Sequence, residues 1–436
     1  MNRIVIAGGG IAGLTAALSL HAVGRTDVMV VEAAPEIQPV GAGLNIMPNA
    51  VRELAALGLY EELAAVSVPT SELRYYHSSG SLVWQEPRGT GAGYRWPQLS
   101  IHRGQLQDVL SRAVRERLGR AAVVSGALVD DFTELPGAQL RVAIRDRASG
   151  ATTDIGAEIL IGADGIRSAV RSAMYPGEGE PPWNGMLVWR GVSWMPADRV
   201  GTFMFIAGNN RQKAVVYPMT IPAAPGEKVL VNWALAMPAE QDGAPDRSDW
   251  NRPVPTAKFR HHYEGWVFDG VDVGEVIDAA EAAFEYPMVD REPLVRWTFG
   301  GATLIGDAAH AMYPIGSNGA TQSIIDGRAL AHAMAAHEDP ARALLAYEAE
   351  RRPPMTELQR SNRRLGPEVV INMAHERAPE GFADIHDVIP RSELETIARS
   401  YAVAGAFDPA TVNQGSPYDV GAVGAVGALR AVRAVR

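Results

Sequence analysis

Apolar residues run almost without interruption through RIVIA (3–7) and VMVVE (28–32). Short runs that are apolar on both faces predict strands of a buried parallel sheet. Between them a glycine cluster opens a segment, Ile11 to His21, that predicts a helix. After GAGLNI (41–46), the stretch PNAVRELAALGLYEELAA (48–65) has helical periodicity and predicts a helix pair. LRYYHSSGSLVWQEP (73–87) alternates about a Ser-Gly turn, the pattern of a hairpin. HRGQLQDVLSRAVRERLG (102–119) returns to helix, with Leu106, Leu110, Val114 and Leu118 near one face. Several strands follow over 121–161, ending in EILIGADG. Residues 183–290 are rich in Trp, Tyr, Phe and Pro and alternate, as in VLVNWALAMP, predicting an antiparallel aromatic-lined sheet. ATLIGDAAH (302–310) is again a strand entering a loop. From Asn318 to Arg364 the pattern is helical, with Pro340 near a start and Pro353-Pro354 as a break.

The predicted fold class is α/β, and the chain is interleaved. Segments 1–66, 102–180 and 297–335 read as one dinucleotide-binding domain, and 67–101 with 181–296 as a β-rich substrate domain. Residues 336–375 read as a C-terminal helical segment and 376–436 as an irregular extension. The tail GAVGAVGALRAVRAVR is low complexity and reads as a surface extension or oligomer contact. The first 24 residues resemble a signal peptide superficially. Three consecutive glycines and the polar Thr15, Ser19 and His21 favour a strand and helix packed on a sheet instead.

Composition narrows the chemistry. The chain has 436 residues, 47% of them hydrophobic and 21% charged, ordinary values for a globular protein. A net charge of −10 gives no reason to expect nucleic acid or an anionic membrane as partner. Cysteine is absent, which excludes disulfides, thiolate metal sites, cysteine nucleophiles and redox-active cysteine pairs. It fits a reducing, cytoplasmic setting. No metal site is expected, and the chain is read as a monomer or homodimer.

Three motifs carry candidate chemistry. Gly8, Gly10 and Gly13 form a G-x-G-x-x-G set, with Ile11 and Ala12 inside it, between a strand and a helix. Gly8 allows the tight turn, Gly10 admits a pyrophosphate to the backbone, and Gly13 lets helix and strand pack. The helix start presents free N–H groups and the positive end of its dipole to phosphate. Glu32 ends the next strand, placed to accept both adenosine ribose hydroxyls. The second motif, IGADGIRSAVR (161–171), puts Asp164 and Gly165 in a turn after a strand, with Ser168 able to cap the next helix. The third, LIGDAAHAMYPIGSNGATQS (304–323), places Asp307 after a strand to bind ribityl hydroxyls. There Gly316, Asn318, Gly319 and Ala320 offer backbone N–H groups at a helix start, suited to the pyrimidine edge of a flavin. Either aspartate taken alone reads as the cap of a turn, and for a bare Asp-Gly after a strand that is the more frequent case.

Together, over residues 1–365, the three motifs resemble the FAD-dependent aromatic monooxygenases of the para-hydroxybenzoate and salicylate hydroxylase type. Strings such as SIHRGQLQ, WRGVSW, YPMVDREPL and GDAAHAMYPIGSNGATQSIIDG look most like the branch of that family that tailors phenazines. The resemblance implies a Rossmann-like FAD-binding domain and an antiparallel substrate sheet. It implies that Arg103 and Gln107 contact the FAD diphosphate or ribityl chain, that Leu128 offers backbone to the adenine side, and that Ala33 and Gly43 also border the cofactor. With only one full dinucleotide fingerprint, NADH or NADPH is expected to bind transiently near the FAD. The reaction implied is attack of a flavin 4a-hydroperoxide, formed from dioxygen, on an electron-rich ring. Hydroxylation of an aromatic or polycyclic small molecule such as a phenazine follows, with decarboxylation as a further option. The alternative is a non-oxygenating flavin oxidoreductase of the same fold: a reductase, an oxidase or a halogenase. WRGVSWMP does not match the W-x-W-x-I-P string of such halogenases.

No nucleophile or metal motif is found. His310 is a candidate acid or base, with a structural role as the other reading. Trp189, Arg190, Tyr217, Met219, Trp233, Pro287, Met288 and Pro314 are expected to face the flavin ring and line an aromatic pocket. The alternative for each is plain sheet core. In the family the proline matching Pro314 turns its carbonyl to the substrate. Arg190, the one charge in VWRGVSW, pairs either with a substrate carboxylate or with an acid of its own domain.

Overall fold

In a computed structural model the chain is described for residues 3–36, 41–137, 139–239 and 252–419. The low-complexity tail expected to form a surface extension lies outside the described residues.

A six-stranded sheet runs in the order Thr298–Phe299, Ala302–Leu304, Ile159–Gly162, Ile4–Ala7, Val28–Glu32, Val123–Ser125. All pairs are parallel except the outermost, 298–299 with 302–304. Ile4, Val5, Ile6 and Ala7 are all buried, because helices cover both faces of a parallel sheet. The fingerprint helix Ile11–Ala22 packs against Arg103–Leu118 and Asn318–Ala336. At Gly327 an added Cβ would lie 2.8 Å from the backbone of Ala16, so the helices Ile11–Ala22 and Asn318–Ala336 meet almost backbone to backbone. A separate antiparallel sheet is built from Ala127–Leu135, Gln139–Asp146 and Thr152–Ala157.

The β-rich part is an eight-stranded sheet. Its long central strand, Trp183–Pro196, pairs antiparallel with Lys228–Pro238 and Ala280–Val289. The predicted hairpin joins its edge, with Glu72–Tyr76 parallel to Met204–Gly208. Side chains alternate across this sheet. One face carries Trp189, Trp233 and Phe205 into an apolar core with Phe259, Tyr263 and Trp266. The opposite face carries Tyr75, Ile206 and Tyr217 into a second cluster with Val370, Ile371 and Leu394 of the C-terminal segment. A small sheet of Gly43–Ile46, Leu99–His102 and Ser67–Pro69 lies where the two parts meet.

Two expectations are corrected. The helix Pro340–Arg363 continues through Pro353 and Pro354 instead of breaking there. The missing N–H groups free carbonyls at Ala349 and Glu350, both exposed and open to water, while Tyr347, Arg351, Met355 and Leu358 keep the other side buried. Residues 376–419 are also not irregular. They hold the helices Arg391–Ala404 and Pro409–Val412, and Tyr401, Phe407, Val412 and Tyr418 join the main core.

Candidate active site: a cofactor groove and an adjoining cavity

The three motifs meet. A Cβ on Gly8 (φ +100°) would lie 2.4 Å from the Ala163 carbonyl oxygen and 2.9 Å from the Asp164 backbone, so the fingerprint turn lies directly on the second motif. A Cβ on Gly306 would lie 2.8 Å from the Ala12 side chain, so the third motif touches the start of the fingerprint helix. A groove of about 950 Å³, open to solvent, runs past the first two of these loops. Gly8, Gly10, Glu32, Ala33, Arg103 and Gln107 line one part of it, and Leu128, Asp164 and Gly165 another.

The groove suits an adenine dinucleotide. Gly10 caps the helix Ile11–Ala22 with ordinary extended angles, and a Cβ there would meet nothing within 4 Å. The helix start is therefore open to a phosphate group. Gly13 differs: its Cβ would sit 2.0 Å from the Gly8 carbonyl oxygen, so its role is packing. Glu32 accepts from the amides of Gly9 (2.6 Å) and Ala34 (2.7 Å), which fixes its carboxylate at the groove edge. Gln107 donates to the Gly9 carbonyl at 2.8 Å, and Arg103 reaches the groove from the first residue of its helix.

Asp164 is more committed than the motif alone suggests. Its carboxylate accepts from Ser168 Oγ and from the amides of Ala169 (2.7 Å) and Val170 (3.3 Å), capping the helix Ala169–Met174. Burial raises its pKa, and the Ser168 hydroxyl and the amides oppose that rise. Asp307, in contrast, begins a short helix and is exposed. Gly316 (φ +65°) and Ser317 (φ +59°) turn the chain into the helix Asn318–Ala336, which has no side-chain cap. A Cβ on Gly319 would meet nothing within 4 Å, so this second helix start, with Ala320, is also open. Gly43 is otherwise engaged. Its amide donates to Asn232 Oδ1 at 2.7 Å, and its Cβ would collide with Met219 and Tyr217.

A cavity of about 900 Å³, counting the solvent at its mouth, opens beside this loop. Pro314, Gly316 and Ser317 form one wall. Tyr75, Met204, Ile206 and Val215 come from the front of the large sheet, and Tyr401 and Phe407 from the C-terminal segment. Tyr401 Oη accepts from Asn318 Nδ2 at 2.8 Å and donates to Asn362 Oδ1 at 2.9 Å, tying the loop to that segment. Pattern reading missed these walls. Alternation along 204–206 and 213–218 was the available signal for the sheet side; nothing local pointed to Tyr401 or Phe407.

The residues expected at the flavin ring divide. Trp189 stacks on Phe259 (4.9 Å) and donates to Glu285 Oε2; Trp233 donates to Ser193 Oγ. Both lie on the back of the sheet, and Pro287 pairs with Leu187 on that same side, so these three are corrected to core. The physical reason is the two-residue period: Arg190 points forward, so its neighbour Trp189 points back. Tyr217, Met219 and Met288 lie on the front, packed against Gly43 or Tyr313.

Arg190 is half-buried, and its Nε is sealed without a hydrogen-bond partner among the described residues. No ion pair joins it to an acid there. Burial lowers its pKa, as does nearby Arg103, against the opposing influence of Tyr217 and Tyr286. His310 is fully buried, with Nε2 2.6 Å from Asp326 Oδ2 and its ring against Trp297. Asp326 also accepts from Gly306 N (2.9 Å) and Arg351 Nε (2.9 Å). Burial works against its charge, yet His310 and Arg351 hold its pKa below the usual carboxylate range. His310 borders neither the groove nor the cavity, so its place is in a network that holds the third motif. Among the described residues no cluster of metal-ligating side chains occurs, and no helix is long and apolar enough to cross a membrane.

Known proteins are similar to this chain in sequence and in fold. The family described as FAD binding domain matches residues 1–361. The phenazine 1,6-dicarboxylic acid hydroxylase of Lysobacter antibioticus is 42% identical over 362 residues, covering 83% of this chain and 89% of that protein. A salicylate hydroxylase of Pseudomonas putida is 29% identical over 350 residues, 76% of this chain and 75% of its own. In fold, the chain is similar to HpxO of Klebsiella pneumoniae complexed with FAD and uric acid. The TM-score is 0.71 at 22% identity, over 95% of this chain and 97% of that one.

Proposed function

Because this chain belongs to the FAD-dependent aromatic hydroxylases, we propose that its substrate is a carboxylated polycyclic aromatic of the phenazine class, seated in the cavity beside Pro314. FAD is its cofactor and NAD(P)H its reductant. When bound, FAD supplies hydride acceptance and dioxygen activation; the protein orients the partners and excludes water. Segments 1–66, 102–180 and 297–335 would hold the FAD, with 67–101 and 181–296 forming the sheet under the substrate.

The observation that carries the reading is the cavity itself. Its walls are largely apolar, Pro314, Gly316 and Ser317 of the third motif's loop form part of them, and Tyr401 and Phe407 of the C-terminal segment line it as well. In this proposal Gly10 and Arg103 hold the diphosphate, Glu32 the ribose and Asp307 the ribityl chain. The amides at Gly319 and Ala320 hold the pyrimidine edge. Arg190 does not line the cavity but lies on the sheet face that carries Val215 and Ile206, in register with them through Ala234; with no acid partner among the described residues, it would pair with an anionic group of the substrate that reaches along that face. The relative named for a phenazine dicarboxylic acid supports a substrate of this kind, and 5-methylphenazine-1-carboxylate is the specific acid the sequence strings suggest.

The test is a screen of the purified holoprotein. Phenazine carboxylates are expected to stimulate NAD(P)H oxidation and oxygen uptake. Mass spectrometry should show a product with one added oxygen atom, with or without loss of carbon dioxide. Stimulation confined to single-ring phenols, or NAD(P)H consumption that yields only hydrogen peroxide with every phenazine, would reject the substrate class.

A further inference from the structure

The cavity beside Pro314 has one wall unlike the rest. Toward the large sheet it is lined by bulky side chains, Tyr75, Met204 and Ile206 among them. On the helix Arg391–Ala404 the lining residues are Ala398, Tyr401 and Ala402, spaced i, i+3 and i+4 so that they share one face. Ala398 and Ala402 are only partly buried, while Val403, off that face, is 65% exposed. Besides the Tyr401 ring, two methyl groups are all that this helix puts into the cavity.

This wall is fixed at both ends. A Cβ on Gly316 would lie 2.1 Å from Tyr401 Oη, so the loop of the third motif sits flush against the helix. The chain beyond the helix is tied down in turn. Tyr94 Oη donates to the Phe407 carbonyl, Asn413 Nδ2 to the Gly93 carbonyl at 2.8 Å, and Arg52 Nη1 to the Val412 carbonyl at 3.1 Å. Fully buried Glu53 accepts from Arg52 Nε (2.9 Å), Arg328 Nε (3.1 Å) and Ser416 Oγ (2.6 Å), so its charge is paired where it anchors the segment. A wall held at so many points does not step back from an added group; the group takes its space from the cavity instead.

Positions 398 and 402 also lie beyond residues 1–361, the stretch that matches the FAD-binding family, and neither borders the cofactor groove. Their size can change without altering a residue that lines that groove.

We propose that Ala398 and Ala402 are specificity-determining residues, whose small size sets how many fused rings the cavity accepts. This rests on the reading above that the cavity holds the substrate, and it names the residues that admit a tricyclic ring system. Replacing alanine by phenylalanine adds one six-membered ring, the unit by which a phenazine exceeds a quinoxaline. In a helix a long side chain leans toward the N-terminus over its own face, so the new ring stays on the cavity side. The cost of overfilling then falls on the larger ligand and spares the smaller one.

The experiment measures binding of phenazine-1-carboxylate and quinoxaline-5-carboxylate to the holoprotein, followed by perturbation of the flavin absorbance. The two acids share the carboxylate and differ by one ring, so any pairing with Arg190 is common to both. Ala398→Phe and Ala402→Phe should each weaken phenazine-1-carboxylate roughly tenfold or more and change quinoxaline-5-carboxylate by no more than about threefold. Val403→Phe, on the outward side, should change neither. If a phenylalanine variant does not retain flavin, Ala398→Leu or Ala402→Leu replaces it, with the same selectivity expected from a smaller loss. Unchanged affinity for the tricyclic acid in both variants would overturn the proposal. So would an equal loss on both acids, or the same loss in Val403→Phe. A wild-type holoprotein that does not bind phenazine-1-carboxylate overturns the phenazine-class reading together with this one. Wild-type binding that the two alanine positions do not control overturns this one alone.

Discussion

Replacing Gly10 by Ala should separate folding from cofactor binding. The position has φ −78° and ψ −175°, angles that alanine adopts freely. An added Cβ would meet no protein atom within 4 Å. Alanine is a poorer N-cap than glycine, a loss of about 0.5–1 kcal/mol. The reduced freedom of the unfolded chain offsets about 0.4–1 kcal/mol of that. The apoprotein should therefore melt within about 4 °C of wild type. The methyl group nevertheless occupies the space through which a pyrophosphate approaches the helix start. Losing two hydrogen bonds to the diphosphate, of about 1–2 kcal/mol each once partial relaxation is allowed, weakens FAD by about 2–4 kcal/mol. That is a rise in Kd of roughly 30- to 1000-fold. Titration of apoprotein with FAD, read by flavin fluorescence, gives the Kd, and a thermal melt gives the stability. Gly13→Ala is the contrasting control. Its Cβ would sit 2.0 Å from the Gly8 carbonyl oxygen, so it should destabilise the apoprotein itself. An unchanged FAD affinity in Gly10→Ala, or an apoprotein that no longer folds, would refute the assignment of this helix start to the diphosphate.

Arg190→Met should raise KM for carboxylated substrates and leave neutral ones unchanged, while the melting temperature rises, because a half-buried cation with no acid partner among the described residues is removed. An equal loss on both substrate types would argue for packing alone. Tyr401→Phe removes the hydroxyl shared by Asn318 and Asn362, at a loss of about 1–3 kcal/mol. The loosened loop should let a larger share of NAD(P)H end as hydrogen peroxide, measured as the peroxide-to-NAD(P)H ratio, and an unchanged ratio would count against a positioning role. His77 has its pKa lowered from 6.5 by burial and by stacked His375. The unfolded chain therefore takes up a proton first as pH falls, so stability should decline on acidification from about 6.5 toward the lower folded value. Urea midpoints at pH 7.5 and 5.5 should converge in His77→Asn, apart from the similar contribution of His102.

Much of the cofactor side was legible in the residue pattern, for a local reason. A glycine that must pass a carbonyl, a strand apolar on both faces and an acid at the next strand end are requirements met within about 25 residues of chain. Gly8, Gly13 and Glu32 show these requirements directly. The convergence of Gly8 with Asp164 and of Ala12 with Gly306 follows once the strands 4–7, 159–162 and 302–304 lie side by side. What alternation leaves open is which face of a sheet meets which partner. Trp189 and Arg190 must point oppositely, but only the packing of Phe259, Tyr263 and Trp266 decided that the tryptophan went to the back. The cavity wall from Tyr401 and Phe407 likewise depends on chain more than 80 residues beyond Gly316, held by hydrogen bonds no local pattern encodes. Pro353-Pro354 stayed helical because the burial of Tyr347, Arg351 and Met355 outweighs two lost hydrogen bonds on the exposed side. Short-range geometry thus determined the loops of the glycine fingerprint, and long-range packing decided the walls of the cavity.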